Sequence, residues 1–363
     1  MRIGLIFGGR SVEHEVSVTS ARTVARGLVA AGHAVVPLPI GADGVWADPA
    51  LGTAALDGAV DRLPAGGGPI LPSLAPLIEA ELGAEVDAVF PIVHGTWGED
   101  GTLQGFLEIL DLPYVGAGVT ASALAMNKVL AKRLLEAAGV PVVPYETVSG
   151  TDFEEDPERF LGRLGRFEGP LFVKPVVGGS SVGVKKVTDR SCLESSIRFA
   201  LRFDDAVLVE RGVAGRELEV AVLGYERLEA SEVGEIVPGR EFYDYEDKYL
   251  SDGAKLIAPA ELPEALAAHL RELAVSAFAA IGGHGMARVD FLLEGDAPYV
   301  NEINTLPGFT SISMYPRLWD LSGVPLPELV DRLVRIAVER HRDRHRLDQG
   351  IRDWIAELED RKR

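Results

Sequence analysis

The spacing of apolar residues changes period several times along this chain, and each change marks an element. Residues 3–7 (IGLIF) form an unbroken apolar run closed by Gly8 and Gly9, as expected of a strand buried on both faces. VSVTSARTVARGLVAAG then takes helical spacing and stops at Gly32. AVVPLPI reads as a second strand, and EVDAVFPIVHG as a third, with GTLQGFLEIL as its helix. This alternation predicts an open parallel sheet, in which ligands bind beyond the carboxyl ends of the strands. Glu15 and His94 fall just past strand ends and are candidates by position. Residues 41–80, rich in Ala, Gly and Pro, carry little pattern, and one helix is predicted over 120–138, closed by Gly139 and Pro141.

From Pro144 the period shortens. PLFVKPV, VGVKKV, AVLVERG, LEVAVLG and ASEVGEIV read as alternating strands with one helix among them, at about 189–202, which predicts antiparallel α+β structure. PGREFYDYEDKYLSDGAK is polar, aromatic and charged, the composition of a long functional loop. LPEALAAHLRELAVSAFAAIG is a helix leading to a last hairpin. In the tail, Ile351, Trp354, Ile355 and Leu358 share one helical face, which predicts packing on the body or on a partner subunit.

Two segments carry candidate chemistry. In KPVVGGSSVG, Lys174 ends a buried run and a small-residue turn follows. The order is the reverse of a P-loop, where the lysine comes after the glycines at a helix start. The second segment is ARVDFLLEGDAPYVNEINT, two apolar runs around a turn. A hairpin centred on Asp296 sets Asp290 opposite Glu302 and Arg288 opposite Asn304. Alternation then puts all four side chains on one face, with Val289, Phe291 and Ile303 on the other. Two carboxylates and an amide oxygen suit Mg²⁺; a solvated strand face of mixed charge is the plain alternative.

The bulk properties narrow the partners. The 363 residues, 47% hydrophobic and 25% charged, suit a water-soluble protein of two or three domains. A net charge of −19 argues against a nucleic-acid partner. No stretch is long enough for a membrane span, the N-terminal apolar run is too short for a signal peptide, and the lone Cys192 fits a reducing compartment. A cytoplasmic location is expected.

KPVVGGSSVG, VERGVAGRELEVAVLG, MARVDFLL and NEINTLPGFTSISMYP, in this order, resemble the ATP-grasp fold. With FGGRSVEHEVSVTSA, HGTWGEDGTLQG and FYDYEDKYLSDGA added, the chain resembles the D-alanine–D-alanine ligases from about residue 1 to about residue 325. The resemblance implies a mixed α/β and α+β protein. A Rossmann-like N-terminal domain (1–125) would precede two antiparallel α+β subdomains (126–220 and 221–340) that clamp ATP; residues 341–363 extend past the family pattern as an extra helix. It implies that Lys128, Lys174 and Lys248 contact phosphate, that Ser180 and Ser181 belong to the turn closing over it, that Glu210, Arg211, Gly212 and Val213 hold adenine, and that Glu217 holds the ribose. Asp290, Glu302 and Asn304 would bind two Mg²⁺, or Mn²⁺ in their place, and Arg288 would stabilise an oxyanion. Glu15 and His94 would meet the first D-alanine, and Gly308 and Ser313 the carboxylate of the second. Ser180 and Tyr249 would join Glu15 in a hydrogen-bonded set, and Tyr249 would favour an amine nucleophile over D-lactate. Each residue also has a plainer reading: Glu15 as an acid at a helix start, His94 as a satisfied strand-end histidine, Lys128 as a solvated helical charge. Within the family, D-lactate- and D-serine-joining ligases remain alternatives, and a homodimer is the implied assembly.

Overall fold

The computed structural model describes residues 1–75, 86–237 and 255–361. The first sheet is parallel, in the order β2-β1-β3, from β1 (Arg2–Gly8), β2 (Ala34–Ile40) and β3 (Ala88–Pro91). Its side chains serve two layers. Ile3, Leu5 and Phe7 pack toward the helix His14–Ala30, while Ile6 packs with Leu103 and Leu107 of the helix Thr102–Ile109. Burial on both faces accounts for the continuous apolar run.

The second sheet, β4-β7-β5-β6, comprises β4 (Tyr145–Ser149), β5 (Leu171–Pro175), β6 (Lys185–Val187) and β7 (Ala206–Arg211), all antiparallel. Its core is built with Phe153, Phe160, Leu164 and Ile197 from short helices on one face. The third sheet, β10-β9-β8-β11-β12, is also antiparallel. It contains β8 (Arg216–Gly224), β9 (Leu228–Val237), β10 (Lys255–Ile257), β11 (Gly285–Glu294) and β12 (Ala297–Asn304), and Leu270, Ala274 and Phe278 of the helix Glu264–Ala280 cover it.

Several boundaries differ from expectation. The helix expected over 120–138 is two helices, Val119–Met126 and Lys128–Ala137, broken at Asn127. Asn127 leaves helical geometry (ψ 99°) to cap the second helix, its Oδ1 accepting from Leu130 N at 3.0 Å, and it bridges to Val177. An asparagine cap competes with helix continuation, and here a strand contact tips the balance. The strand Tyr145–Ser149 and the helices Pro49–Leu56, Gly150–Glu155 and Pro157–Leu164 were not expected. β8 runs through the boundary expected at 220, so the two antiparallel units divide between Arg211 and Arg216.

The tail is no separate helix. One helix spans Leu326–Asp360, so the division at 341 falls inside it. Its first turns bury Leu329, Val330, Leu333 and Val334, and Gly27 lets Leu326 and Val330 approach the helix His14–Ala30. Ile351, Trp354 and Ile355 remain exposed, so the expected packing on the body is not made.

Candidate active site

Side chains of the second and third sheets meet one another. Lys174 Nζ on β5 reaches Asn301 Oδ1 on β12 at 3.3 Å. Arg211 at the end of β7 makes a bidentate pair with Glu294 of β11, both bonds 2.8 Å.

On the first wall the Gly-Gly-Ser-Ser turn departs from ordinary geometry. Gly178 has φ 134°, Ser180 50°, Ser181 58° and Gly183 76°. Two serines in the left-handed region cost energy that a merely connecting turn would avoid. Gly183 has a second constraint, because a Cβ there would lie 2.7 Å from Pro175 Cγ and 2.9 Å from Phe203. Beneath the turn stand three lysines. Lys128, first residue of its helix, donates from Nζ to Gly178 O at 2.5 Å. Lys174 and Lys132 both pair with Glu210, at 2.5 and 2.6 Å. Burial would push the Glu210 carboxyl up, but the charges of Lys174 and Lys132 outweigh it and bring the pKa down to about 2. Burial likewise disfavours charge on Lys174, and Glu210 reverses that and raises it. Lys128 lacks such a partner: among the described residues no carboxylate lies within ion-pair distance. Its pKa is lowered, chiefly by burial, partly offset by Glu302, with the charge of Lys174 adding to the fall.

The second wall is the hairpin. Asp290 pairs with Glu302, and Arg288 with Asn304, as expected. The expected centre on Asp296 is wrong, however. The turn is the two-residue Gly295–Asp296, with Glu294 opposite Ala297. Gly295 has φ 60°, which suits the first central position of a tight hairpin turn. A bulge between Asp290 and Phe291 then inserts Asn301 and restores the register at the far end. Asn301, the amide that meets Lys174, was therefore invisible to simple alternation. Val289, Phe291 and Ile303 lie in the core, which leaves the four polar side chains to the other face.

Glu219 was also missed. It pairs with Asp290 across β8 and β11, so three carboxylates (Glu219, Asp290, Glu302) stand in a row over three strands. Glu217 precedes Glu219 by two residues on β8. The only signal was the alternation in RELEVAV, and strand pairing far apart in sequence was needed to use it. Arg288 grips Asp290 through two bonds, 2.6 and 2.7 Å, and approaches Glu219 at 3.1 Å. Burial opposes its charge, but Asp290 and Glu219 keep it firmly protonated. Asn304 Oδ1 accepts from Leu306 N at 3.1 Å, which fixes the amide at the strand end. Asp290, Glu302 and Asn304 offer oxygen donors alone, the donor set a hard divalent cation takes.

At the carboxyl ends of the parallel strands the residues form a different group. His94 is buried, with Nε2 3.2 Å from Ser20 Oγ and Nδ1 3.1 Å from Leu306 O. Ser20 Oγ also accepts from Phe309 N at 3.1 Å. Both ring nitrogens of His94 thus serve the 305–313 loop, the plainer of its two readings. That loop holds Gly308 and Ser313; Ser313 Oγ accepts from Thr310 N at 2.9 Å and starts the helix Met314–Leu321. Glu99, not foreseen, lies 3.6 Å from His94. Burial raises the Glu99 pKa to about 7, and the nearby Glu13 adds to the rise, against the opposing pull of His94. Burial lowers the His94 pKa, but the hydrogen bond and charge of Glu99 outweigh that and raise it. Glu15 is bound by Arg62 Nη1 at 2.6 Å, and no hydrogen bond joins it to Ser180. Lys248 and Tyr249, with the loop that carries them, lie outside the described residues. Val213 is half-buried in the connection between β7 and β8.

A lysine-floored turn on one antiparallel sheet, opposite an acidic row on another, beside an open parallel sheet, defines an ATP-grasp protein. Residues 2–117 match the family model "D-ala D-ala ligase N-terminus", and residues 134–335 match "D-ala D-ala ligase C-terminus". The D-alanine–D-alanine ligase of Solibacter usitatus is 45% identical over 346 residues, covering 95% of this chain and 97% of that protein. That of Chlorobium phaeovibrioides is 44% identical, covering 93% and 97%. Among solved structures, the D-alanine–D-alanine ligase of Coxiella burnetii superposes with a TM-score of 0.77 at 35% identity, covering 97% of this chain and 99% of that one. The VanG D-Ala:D-Ser ligase of Enterococcus faecalis gives 0.78 at 32%, covering 93% and 99%. The chain belongs to the D-alanine–D-alanine ligase family.

Proposed function

We propose that the protein joins two D-alanines at the expense of ATP, giving D-alanyl-D-alanine for peptidoglycan synthesis, with ADP and phosphate released. A carboxylate is a poor electrophile, and phosphorylation makes it an acyl phosphate that an amine can attack. Phosphoryl transfer asks the protein mainly for positioning and charge neutralisation. The observation that carries this reading is the half-buried Lys128, without an ion-pair partner among the described residues, next to Lys174 under the strained turn. An anionic phosphate chain supplies the missing partner.

In this reading Lys128, Lys174 and Lys248 neutralise the phosphates, and the backbone around Ser180 and Ser181 closes over them. Arg211 and Val213 border the adenine slot and Glu217 takes the ribose. The Glu210 carboxylate, held between two lysines, positions them and does not itself read the base. Asp290, Glu302 and Asn304 would hold Mg²⁺, or Mn²⁺, as two ions, which supply further charge neutralisation when bound. Arg288 stabilises the oxyanion formed when the second amine attacks. Glu15 exchanges Arg62 for the ammonium of the first D-alanine. His94 is a positioning residue, holding the loop from which Gly308 and Ser313 meet the second carboxylate. Tyr249 joins Ser180 and Glu15 on closure, which excludes water from the acyl phosphate. The test is ADP release with D-alanine, L-alanine, D-lactate and D-serine offered in turn. Turnover confined to D-alanine supports the assignment; faster turnover with D-alanine plus D-serine or D-lactate overturns it in favour of the alternative ligases.

On this reading the protein works in the cytoplasm. No helix among the described residues is long and apolar enough to cross a membrane. A second copy of the chain is the proposed partner. Leu347, Ile351, Trp354 and Ile355 form an exposed apolar stripe on one face of the helix. Deleting 346–363 converts the dimer to a monomer in light scattering on this reading; an unchanged mass rejects the stripe as the contact.

A further inference from the structure

Away from the cleft, three side chains converge on one point. His341 and His345 stand four residues apart on the helix Leu326–Asp360, and so share a face. Asp111 comes from the turn after the helix Thr102–Ile109, where its φ of 56° swings it toward them. The two Nε2 atoms lie 3.3 Å apart, and Asp111 Oδ1 lies 3.2 Å from His341 Nε2 and 2.9 Å from that of His345. All three are potential metal ligands.

We propose that Asp111, His341 and His345 form a binding site for a borderline transition-metal ion of the Zn²⁺ class. A tetrahedral ion with bonds of about 2.05 Å has ligand atoms about 3.3 Å apart along each edge. The observed separations of 3.3, 3.2 and 2.9 Å come within about 0.4 Å of one face of such a tetrahedron. Two imidazole nitrogens and a carboxylate oxygen turned toward one point can each offer a lone pair to one shared cation. Two nitrogens and one oxygen favour Zn²⁺ over Mg²⁺, which takes oxygen. Asp111 and His345 are partly exposed, so water completes the fourth position. Both histidines lie beyond residue 335, where the match to the family model ends. Its consequence is a staple tying the outer turns of the C-terminal helix to the parallel-sheet domain.

The test uses the full chain without any histidine tag, by titration calorimetry with Zn²⁺ in excess Mg²⁺, which saturates oxygen-only sites. One equivalent is expected to bind with micromolar or tighter affinity. The H341A/H345A double variant should weaken that binding at least a hundredfold, while H269A, on another helix, should leave it unchanged. Co²⁺ in place of Zn²⁺ should give the intense visible bands of four-coordination, lost in the double variant. Absence of stoichiometric Zn²⁺ binding, or affinity undiminished in the double variant, overturns the proposal.

Discussion

Replacing Glu210 by glutamine preserves its shape and removes its charge, which isolates what the carboxylate does for the phosphate wall. It is buried, and its oxygens lie 2.5 and 2.6 Å from Lys174 and Lys132. Its fall from 4.5 to about 2 favours the charged form by about 3 kcal/mol, at about 1.4 kcal/mol per unit. Removing one member of a buried ion pair costs about 3–5 kcal/mol by a separate route, because the partner charge is left stranded. Both routes predict that E210Q loses about 3–5 kcal/mol in urea unfolding at neutral pH. Since a depressed acid stabilises above its unfolded pKa, the wild-type advantage is full at neutral pH and disappears as pH falls from about 4.5 through 2. Lys132→Met combined with E210Q should recover part of the loss, because one stranded charge has gone. Lys174 should also lose its anchor, so KM for ATP rises. An E210Q protein within 1 kcal/mol of wild type at neutral pH, by about the ordinary surface-substitution scale, refutes the reasoning.

K128A should weaken ATP use by about ten- to a hundredfold in kcat/KM, the worth of one hydrogen bond to a charged group, with folding stability little changed; steady-state kinetics against urea unfolding separates the two. G183A forces a Cβ onto Pro175 at φ 76° and should cost about 1–3 kcal/mol, with KM for ATP rising as the turn shifts; an unchanged KM would contradict the geometry. Glu99 and His94 both hold protons more tightly when folded, so the contribution of Glu99 falls as pH rises from about 4.5 through about 7, and that of His94 falls as pH rises past 6.5. E99Q should therefore flatten the pH dependence of the urea midpoint by up to about 3 kcal/mol between about pH 5 and pH 8, and a slope equal to wild type would count against the pair.

Local pattern made some parts of this molecule legible and left others hidden. The buried run of β1 and the helix His14–Ala30 follow directly from spacing, because each packs through residues near in sequence. The polar face of Arg288, Asp290, Glu302 and Asn304 was legible for a less secure reason: an error of one residue at the turn is cancelled by the bulge at Asp290. That same bulge hid Asn301. Glu219 and Glu99 were hidden because their neighbours come from strands and loops distant in the chain. The break at Asn127 was missed because helix periodicity carries through it, and only the bridge to Val177 shows why it stops there. Glu210 was expected at the base and is found between lysines, a pairing set by the packing of the helix Lys128–Ala137 against β5 and β7.

The central claim is that the two facing walls activate a D-alanine carboxylate by phosphorylation. D-Alanine labelled with heavy oxygen in its carboxylate tests it directly, by mass analysis of the phosphate released with ATP. The account predicts one labelled oxygen in the phosphate for each dipeptide formed. Unlabelled phosphate alongside dipeptide, or AMP in place of ADP, would contradict it.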